Sequence, residues 1–348
     1  MSEKKSDLAT YIRSYERNVV KKGSNVIVGF GSDLSEDVLI LKKMPLGIPS
    51  LDYGLGGGIP VGGTMTIAGQ PSVGKTTLAL NIIAAAQSQG QTCVLADAEN
   101  SYDERWAYIQ GVNTDDLLIL QAETLEDTLN LVVDTVNRGL IDLVVVDSLD
   151  ATLPRGRIQS KAGKKRDLDN TDVALKARVM SDFYPRILHG ARKNEVSIIF
   201  VAQLRTTGIG SAFVTEGISG GRARGFYDLL TLKLRRGPKA DWPKDGSDFI
   251  GFQLVCRVDK SKISGTREGD QINTIFWHNK GFDLDYEIVK MAMDDGIIER
   301  VSAAQCLFTD TQGQEHKIGV GKDFKVAQKI ADLGLIDDVR TQVTGETE

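Results

Sequence analysis

Residues 69–76 (GQPSVGKT) place two glycines, a lysine and a hydroxyl in the order that a phosphate-binding loop requires. Gly69 and Gly74 let the backbone curl so that successive N–H groups point inward, forming an anion nest at a helix N-terminus. Gln70, Pro71, Ser72 and Val73 form the loop between them. Lys75 supplies a point charge for the β- and γ-phosphates, and the Thr76 hydroxyl is placed to ligate Mg²⁺. Asp147 ends the apolar run 143–147 (LVVVD) and is the carboxylate partner that such a loop needs beside the metal. Hydrolysis also requires a group that orients or deprotonates water. Glu99, in 97–99 (DAE), projects from the strand after the loop's helix and suits a general base. Gln203 ends the run 198–202, where an amide could touch the γ-phosphate and report it to the next segment. The chain is expected to bind a nucleoside triphosphate.

These residues need a scaffold that brings strand ends together. Apolar runs at 64–68, 92–97, 117–121, 143–147 and 197–202 read as strands. Helical patterns lie between them, at 77–86, 125–137 and 173–193. This alternation predicts an α/β fold with a mostly parallel central sheet and helices on both faces, whose ligand sits beyond the carboxyl ends of the strands. Runs at 229–234, 252–258 and 271–277 come at shorter intervals and predict an antiparallel extension. Residues 8–22 read as an amphipathic helix with Leu8, Ile12, Tyr15 and Val19 on one stripe, which must dock on a core or a neighbour. Three regions follow: an N-terminal helical leader and linker at 1–45, a core at 46–284, and a small α-rich C-terminal domain at 285–348. The last is expected to be built from 285–294, 303–309, 324–333 and an acidic tail. Two long polar segments, 154–171 and 205–224, read as loops of functional length.

Composition narrows the function classes. With 41% hydrophobic and 26% charged residues among 348, the chain reads as an ordinary globular protein. Its net charge of −5 gives no global attraction for nucleic acid, so such binding must use a local basic patch. Cys93, Cys256 and Cys306 match no metal spacing, and the first two read as buried thiols. No apolar run approaches the roughly 20 residues of a membrane span, and a reducing cytoplasmic setting is expected.

Six ordered stretches resemble the RecA-type homologous recombinases: 69–77 (GQPSVGKTT), 97–103 (DAENSYD), 144–149 (VVVDSL), 199–205 (IFVAQLR), 220–227 (GGRARGFY) and 258–263 (VDKSKI). The resemblance runs from about residue 10 to about 300. It implies a RecA-like P-loop ATPase core using ATP and Mg²⁺, with Lys75, Thr76, Asp147 and Glu99 at its centre and Gln203 as γ-phosphate sensor. Thr77 and Asp103 join the nucleotide site, and Trp106 falls where the family places an aromatic that stacks on adenine. Lys260 and Lys262, one residue apart and so pointing the same way, would reach across to the neighbouring subunit's ATP. Without the resemblance they are a solvated charge pair. The two long segments become DNA-binding loops. The first carries Arg155, Arg157, Lys161, Lys164, Lys165 and Arg166 with no acidic residue among them. The second carries Ile209 as a wedge between bases, with Gly220, Gly221 and Arg222 close to the phosphates. Arg178 and Ser181 match positions that contact the DNA backbone. The N-terminal helix and Phe226 match subunit contacts. The implied protein polymerises as a helical filament on single-stranded DNA, then pairs it with homologous duplex for strand exchange in recombination and repair.

Several features depart from the family pattern. The first loop is longer and more basic than usual, Asn100 follows the catalytic glutamate, Trp106 stands in place of a tyrosine, and residues after Val301 match poorly. They suggest a divergent member, of bacterial or phage origin. Two alternatives share the core. A hexameric RecA-like helicase usually carries a separate helical domain and an arginine finger, and a nucleotide-gated DNA-binding regulator would not need Glu99. A zinc-bearing repair ATPase would need four clustered cysteines.

Overall fold

A computed structural model describes residues 3–20, 41–148, 171–207, 215–218, 221–237, 244–245, 248–249, 251–302, 305–319 and 323–345. The chain forms two compact units, residues 1–42 and 43–348. In the first, helix α1 spans Glu3–Val20. Leu8, Tyr11 and Tyr15 are exposed along it, and the two tyrosine rings lie 6.3 Å apart one turn from each other. Of the expected stripe of Leu8, Ile12, Tyr15 and Val19, Leu8 and Tyr15 are exposed and Ile12 is half-buried, and the side chain of Val19 falls outside the described residues.

The larger unit opens on a two-stranded pair, β1 (Lys43–Met44) with β2 (Ile59–Pro60), around the short helix α2 (Pro49–Gly54). The central sheet comprises β3 (Thr64–Gly69), β4 (Cys93–Asp97), β5 (Leu118–Leu120), β6 (Leu143–Asp147), β7 (Ser197–Thr207), β8 (Thr215–Ile218), β9 (Leu230–Arg236), β12 (Gly251–Ser261), β13 (Gln271–Trp277) and β14 (Gly281–Phe282). A small pair, β10 (Lys244–Asp245) and β11 (Asp248–Phe249), precedes β12. The spatial order is 14-13-12-9-3-7-6-4-5, with β8 beside β7. Strands 9, 3, 7, 6, 4 and 5 run parallel, and 12, 13 and 14 extend the sheet antiparallel.

Every residue of β3, β4 and β6 is buried, as expected where helices cover both faces of a parallel sheet. Side chains alternate between those faces. Val94, Ala96, Val144, Val146, Ile198 and Phe200 pack against helices α5 (Leu125–Arg138) and α6 (Thr171–Lys193). Helix α3 (Lys75–Ser88) lies on the other face, where the Cys93 thiol meets the Ile83 carbonyl. Helix α4 (Glu104–Ile109) follows β4.

Helix α5 illustrates how sequence sets these elements. The Thr124 hydroxyl accepts from the Asp127 amide to start it, and Gly139, at φ 64°, ends it. Leu125, Leu129, Val132 and Val136 form its buried stripe. Phe200 anchors the same core, edge-on to Phe183 and Tyr184 with centroids 5.9 Å away in each case. Phe200→Ala should cost about 3–5 kcal/mol of stability. A urea-unfolding loss below about 1 kcal/mol would contradict this placement.

Two expectations are revised. The segment 205–224 is not one loop. Beyond Gln203, β7 continues to Thr207 and pairs antiparallel with β8, and helix α7 begins at Gly221 (Gly221–Tyr227). The ladder gives these backbone groups partners that polar side chains do not advertise. At the C-terminus, α8 (Leu284–Asp294), α9 (Asp323–Asp332) and α10 (Ile336–Thr344) pack on a three-stranded sheet of β15 (Ile298–Ser302), β16 (Gln305–Thr309) and β17 (Glu315–Gly319). Residues 305–309 are therefore strand and not helix. Cys306 and Phe308 are buried in alternation, a period of two. All three cysteines are free and buried. Among the described residues no helix is long and apolar enough to cross a membrane.

Candidate nucleotide-binding and catalytic site

Strand β3 delivers the chain into the loop at Gly69, and α3 leaves it at Lys75. A side chain at Gly69 would put its Cβ 2.7 Å from Val73 Cγ1 and 2.9 Å from the Leu234 carbonyl oxygen. Gly74 caps α3 at φ 99°, and Ser72 also takes a left-handed backbone, φ 56°. The loop is thus a tight cradle that larger residues would fill, and its open amides lie at a helix N-terminus. Lys75 is 8% exposed, and its ammonium donates to the Gln70 carbonyl at 2.9 Å, folded back over the loop. Arg236 braces the other side, donating to the Ser72 carbonyl at 2.9 Å. Ser72, Gly74, Lys75, Thr76, Thr77 and Phe276 line a cavity of about 200 Å³ there.

The Thr76 hydroxyl donates to Asp147 Oδ2 at 2.6 Å. Burial pushes the Asp147 carboxyl up to about 6. The Thr76 bond opposes that shift, the Glu99 charge adds to it, Lys75 opposes it, and Asp97 adds to it. A hydroxyl beside a carboxylate is a hard oxygen pair that suits Mg²⁺. No group of three His, Cys, Asp or Glu side chains able to hold a metal occurs among the described residues. A cation here would therefore take its remaining ligands from phosphate and water, as Mg²⁺ commonly does.

Asp147 joins Ser148 through a cis peptide bond. The Ser148 hydroxyl donates to Glu99 Oε1 at 2.5 Å, and the Ala98 amide donates to the Asp147 carbonyl at 2.7 Å. Glu99 itself is exposed at the strand edge. Asp97 shapes the turn that carries it. Its two oxygens accept the Ser101 and Tyr102 amides, each at 3.1 Å, and Gln121 Nε2 at 3.1 Å. Sequence reasoning gave Asp97 and Ser148 no role. The available signal was their position, each a polar residue closing or following an apolar strand next to a chosen carboxylate.

On the far side, Asp103 caps α4 by accepting the Trp106 amide at 3.1 Å, so its carboxylate serves the helix start. The Trp106 indole donates to the Thr77 hydroxyl at 3.2 Å. Leu80, Asp97, Tyr102, Trp106 and Asp147 help line a cavity of about 180 Å³ between loop and ring.

Gln203 sits opposite Gly69 in the ladder of β3 and β7, beside the start of the loop. Lys260 and Lys262 do point the same way, but they meet main chain rather than this loop. Lys260 Nζ donates to the carbonyls of Gly225 at 2.6 Å and Asp228 at 2.5 Å, and Lys262 Nζ to that of Phe226 at 2.6 Å. Burial lowers the Lys260 pKa, and the Lys262 charge lowers it further. The Phe226 ring is 72% exposed. Arg178 and Ser181 lie exposed on α6, Ser181 donating back to the Ala177 carbonyl at 2.8 Å. Gly221 is the first residue of α7. Arg155, Arg157, Lys161, Lys164, Lys165, Arg166, Ile209, Gly220 and the side chain of Arg222 fall outside the described residues.

Residues 8–282 match the family described as the RecA N-terminal domain. The chain is similar to Protein RecA of Thermotoga maritima, 34% identical over 321 residues that cover 92% of this chain and 85% of the relative. It is similar also to Protein RecA of Enterococcus gallinarum, 32% identical over 90% of this chain and 85% of that one. Against Protein RecA of Syntrophus aciditrophicus the identity is 35%, over 87% and 82% of the two chains. Match and geometry agree on one conclusion: the chain belongs to the RecA family of recombinases, which are DNA-dependent ATPases.

Proposed function

We propose that this recombinase hydrolyses Mg²⁺-ATP between adjacent protomers of a filament on single-stranded DNA, using the residues gathered at the ends of β3, β4 and β6. The observation that carries this reading is the continuous polar line from Thr76 through Asp147 and Ser148 to Glu99, with bonds of 2.6 and 2.5 Å flanking the peptide. It supports the reading because the Thr76 hydroxyl and the Asp147 and Glu99 carboxylates share the strand edge that carries the phosphate loop, as a metal pair beside a base would require.

In this reading Gly69, Gln70, Pro71, Ser72, Val73, Gly74 and Thr77 shape and line the cradle, and Lys75 leaves the Gln70 carbonyl for the β- and γ-phosphates. Thr76 and Asp147 hold the metal side. Bound Mg²⁺ supplies neutralisation of charge on the β- and γ-phosphate oxygens. Glu99 takes the proton of the attacking water, and Ser148 keeps the carboxylate turned toward it. Trp106 stacks on adenine, and Asp103 positions that ring by capping α4. Gln203 touches the γ-phosphate from the strand that runs on into the β7–β8 hairpin, giving the nucleotide a mechanical route to the DNA-binding segment. Lys260 and Lys262 act on the nucleotide of the adjoining protomer, and α1 and Phe226 make the filament contact. A head-to-tail contact of this kind propagates as a helix.

DNA is gripped by the segments 154–171 and 205–224 together with Arg178 and Ser181, first as a single strand and then with homologous duplex. Residues 1–45, 46–284 and 285–348 serve as oligomerisation leader, ATPase core and C-terminal domain, in the cytoplasm. Steady-state ATP hydrolysis measured with and without single-stranded DNA tests the reading. DNA should raise the rate by at least about tenfold, and the apparent DNA affinity should fall with log salt at a slope near −0.7 per phosphate contacted. Equal rates with and without DNA would overturn it.

A further inference from the structure

Behind the phosphate loop lies a buried carboxylate that the hydrolysis reading does not use. Asp228, fully buried, follows α7. Its Oδ1 accepts the hydroxyls of Thr64 at 3.0 Å and Tyr184 at 3.3 Å, and its Oδ2 accepts that of Thr66 at 2.7 Å. Arg224, 8% exposed, brings Nη1 within 3.4 Å of Oδ2 and 3.5 Å of the Thr231 hydroxyl. Burial raises the Asp228 carboxyl above its ordinary value, while Thr66, Arg224 and Thr64 hold it back toward the charged form.

The partners sit on β3, which feeds the phosphate loop, on α6, at the end of the first proposed DNA-binding segment, and on α7, whose first turn closes the second. Burying a charge among them is costly, and apolar packing would serve stability as well. What the carboxylate fixes is the end of α7. The carbonyls of that same stretch, Gly225, Phe226 and Asp228, seat the ammonium groups of Lys260 and Lys262. A register shift in β12 between Val258 and Lys260 sets Lys260 opposite Thr231 of β9.

We propose that Asp228 is a positioning residue for ATP hydrolysis: by pinning the end of α7 to β3 and α6, it sets where Lys260 and Lys262 stand when they act on the neighbouring protomer. The inference rests on the reading of those lysines as acting in trans. Asp228 is fully buried, with both oxygens engaged by protein groups, so its loss should lower kcat and leave ground-state binding alone.

The test is Asp228→Asn in the full chain, measured beside the double variant Lys260→Ala with Lys262→Ala and beside the triple variant that combines all three. Asp228→Asn should lower the DNA-stimulated kcat by about tenfold, with KM for ATP and the affinity of the DNA-free protein for a fluorescent ATP analogue each within about twofold of wild type. The triple variant should be no slower than the double lysine variant alone. A normal kcat for Asp228→Asn while the double lysine variant is slow would overturn the inference alone, as would losses that multiply in the triple variant. A normal rate for the double lysine variant would overturn the trans-lysine reading and this inference with it. Should Asp228→Asn fail to fold, Thr66→Val and Thr66→Ser decide. The valine variant, lacking the hydroxyl on Oδ2, should lose kcat by severalfold and the serine variant should keep it. Equal rates for the two would overturn the proposal.

Discussion

Replacing Glu99 by glutamine is expected to abolish turnover while leaving ATP and DNA binding in place. The glutamine oxygen has the shape to accept the Ser148 hydroxyl as Glu99 Oε1 does, so the turn held by Asp97 need not move. What disappears is the ability to take a proton. Loss of a general base costs about 10²–10⁴-fold in rate. The groups proposed to hold the triphosphate, the loop amides, Lys75 and the Thr76–Asp147 pair, are untouched. The variant should therefore form filaments that persist with ATP, if hydrolysis is the step that ends the DNA-bound state. Rapid-quench measurement of phosphate release, paired with filament lifetime by light scattering, checks both halves. A variant keeping more than about a tenth of wild-type turnover would move the base elsewhere.

How far the molecule could be read from its residues depended on how local each cause was. Strands β4 and β6 were visible as near-continuous apolar runs, and β3 as an apolar-leaning one, because both of their faces are covered. The loop at 69–76 was visible because tight curvature and anion binding demand particular residue types at fixed spacing. The extension of β7 through Arg205, Thr206 and Thr207 was not, since its partner β8 lies across the hairpin and the ladder is made by main chain. The expected helical piece 303–309 contains strand 305–309 for a related reason: seven residues are too few to separate periods of two and 3.6. Within the site, Lys260 and Lys262 revealed their common direction by spacing, but the carbonyls they meet belong to a helix more than thirty residues away. Asp228 in the run 226–230 (FYDLL) reads as an ordinary turn residue. Its burial comes from Thr64, Thr66 and Tyr184, all more than forty residues away, and only Arg224, four residues before it, is near in sequence.

The second large effect is expected from the double substitution Lys260→Ala with Lys262→Ala. If these ammonium groups stabilise charge on the phosphoryl group held by the next protomer, they act as an arginine finger does, and their loss should cost about 10³-fold or more in DNA-stimulated turnover. Nucleotide affinity of the isolated protomer should hardly change, because its own loop, Lys75 and Thr76 are intact. The carbonyls of Gly225, Phe226 and Asp228 lose their donors, but Lys262 is exposed and Lys260 only half-buried, so water can replace the bonds at Gly225 and Phe226. Melting temperature should thus stay close to wild type. Mixing separates action in trans from action in cis. A protomer lacking the lysines still offers Glu99, and one carrying Glu99→Gln still offers the lysines. In a random equal mixture of these two inactive variants, about a quarter of the head-to-tail interfaces would join a sound loop to sound lysines. Turnover should then reappear at roughly that fraction of wild type, whereas lysines acting within their own protomer would leave the mixture as inactive as its components.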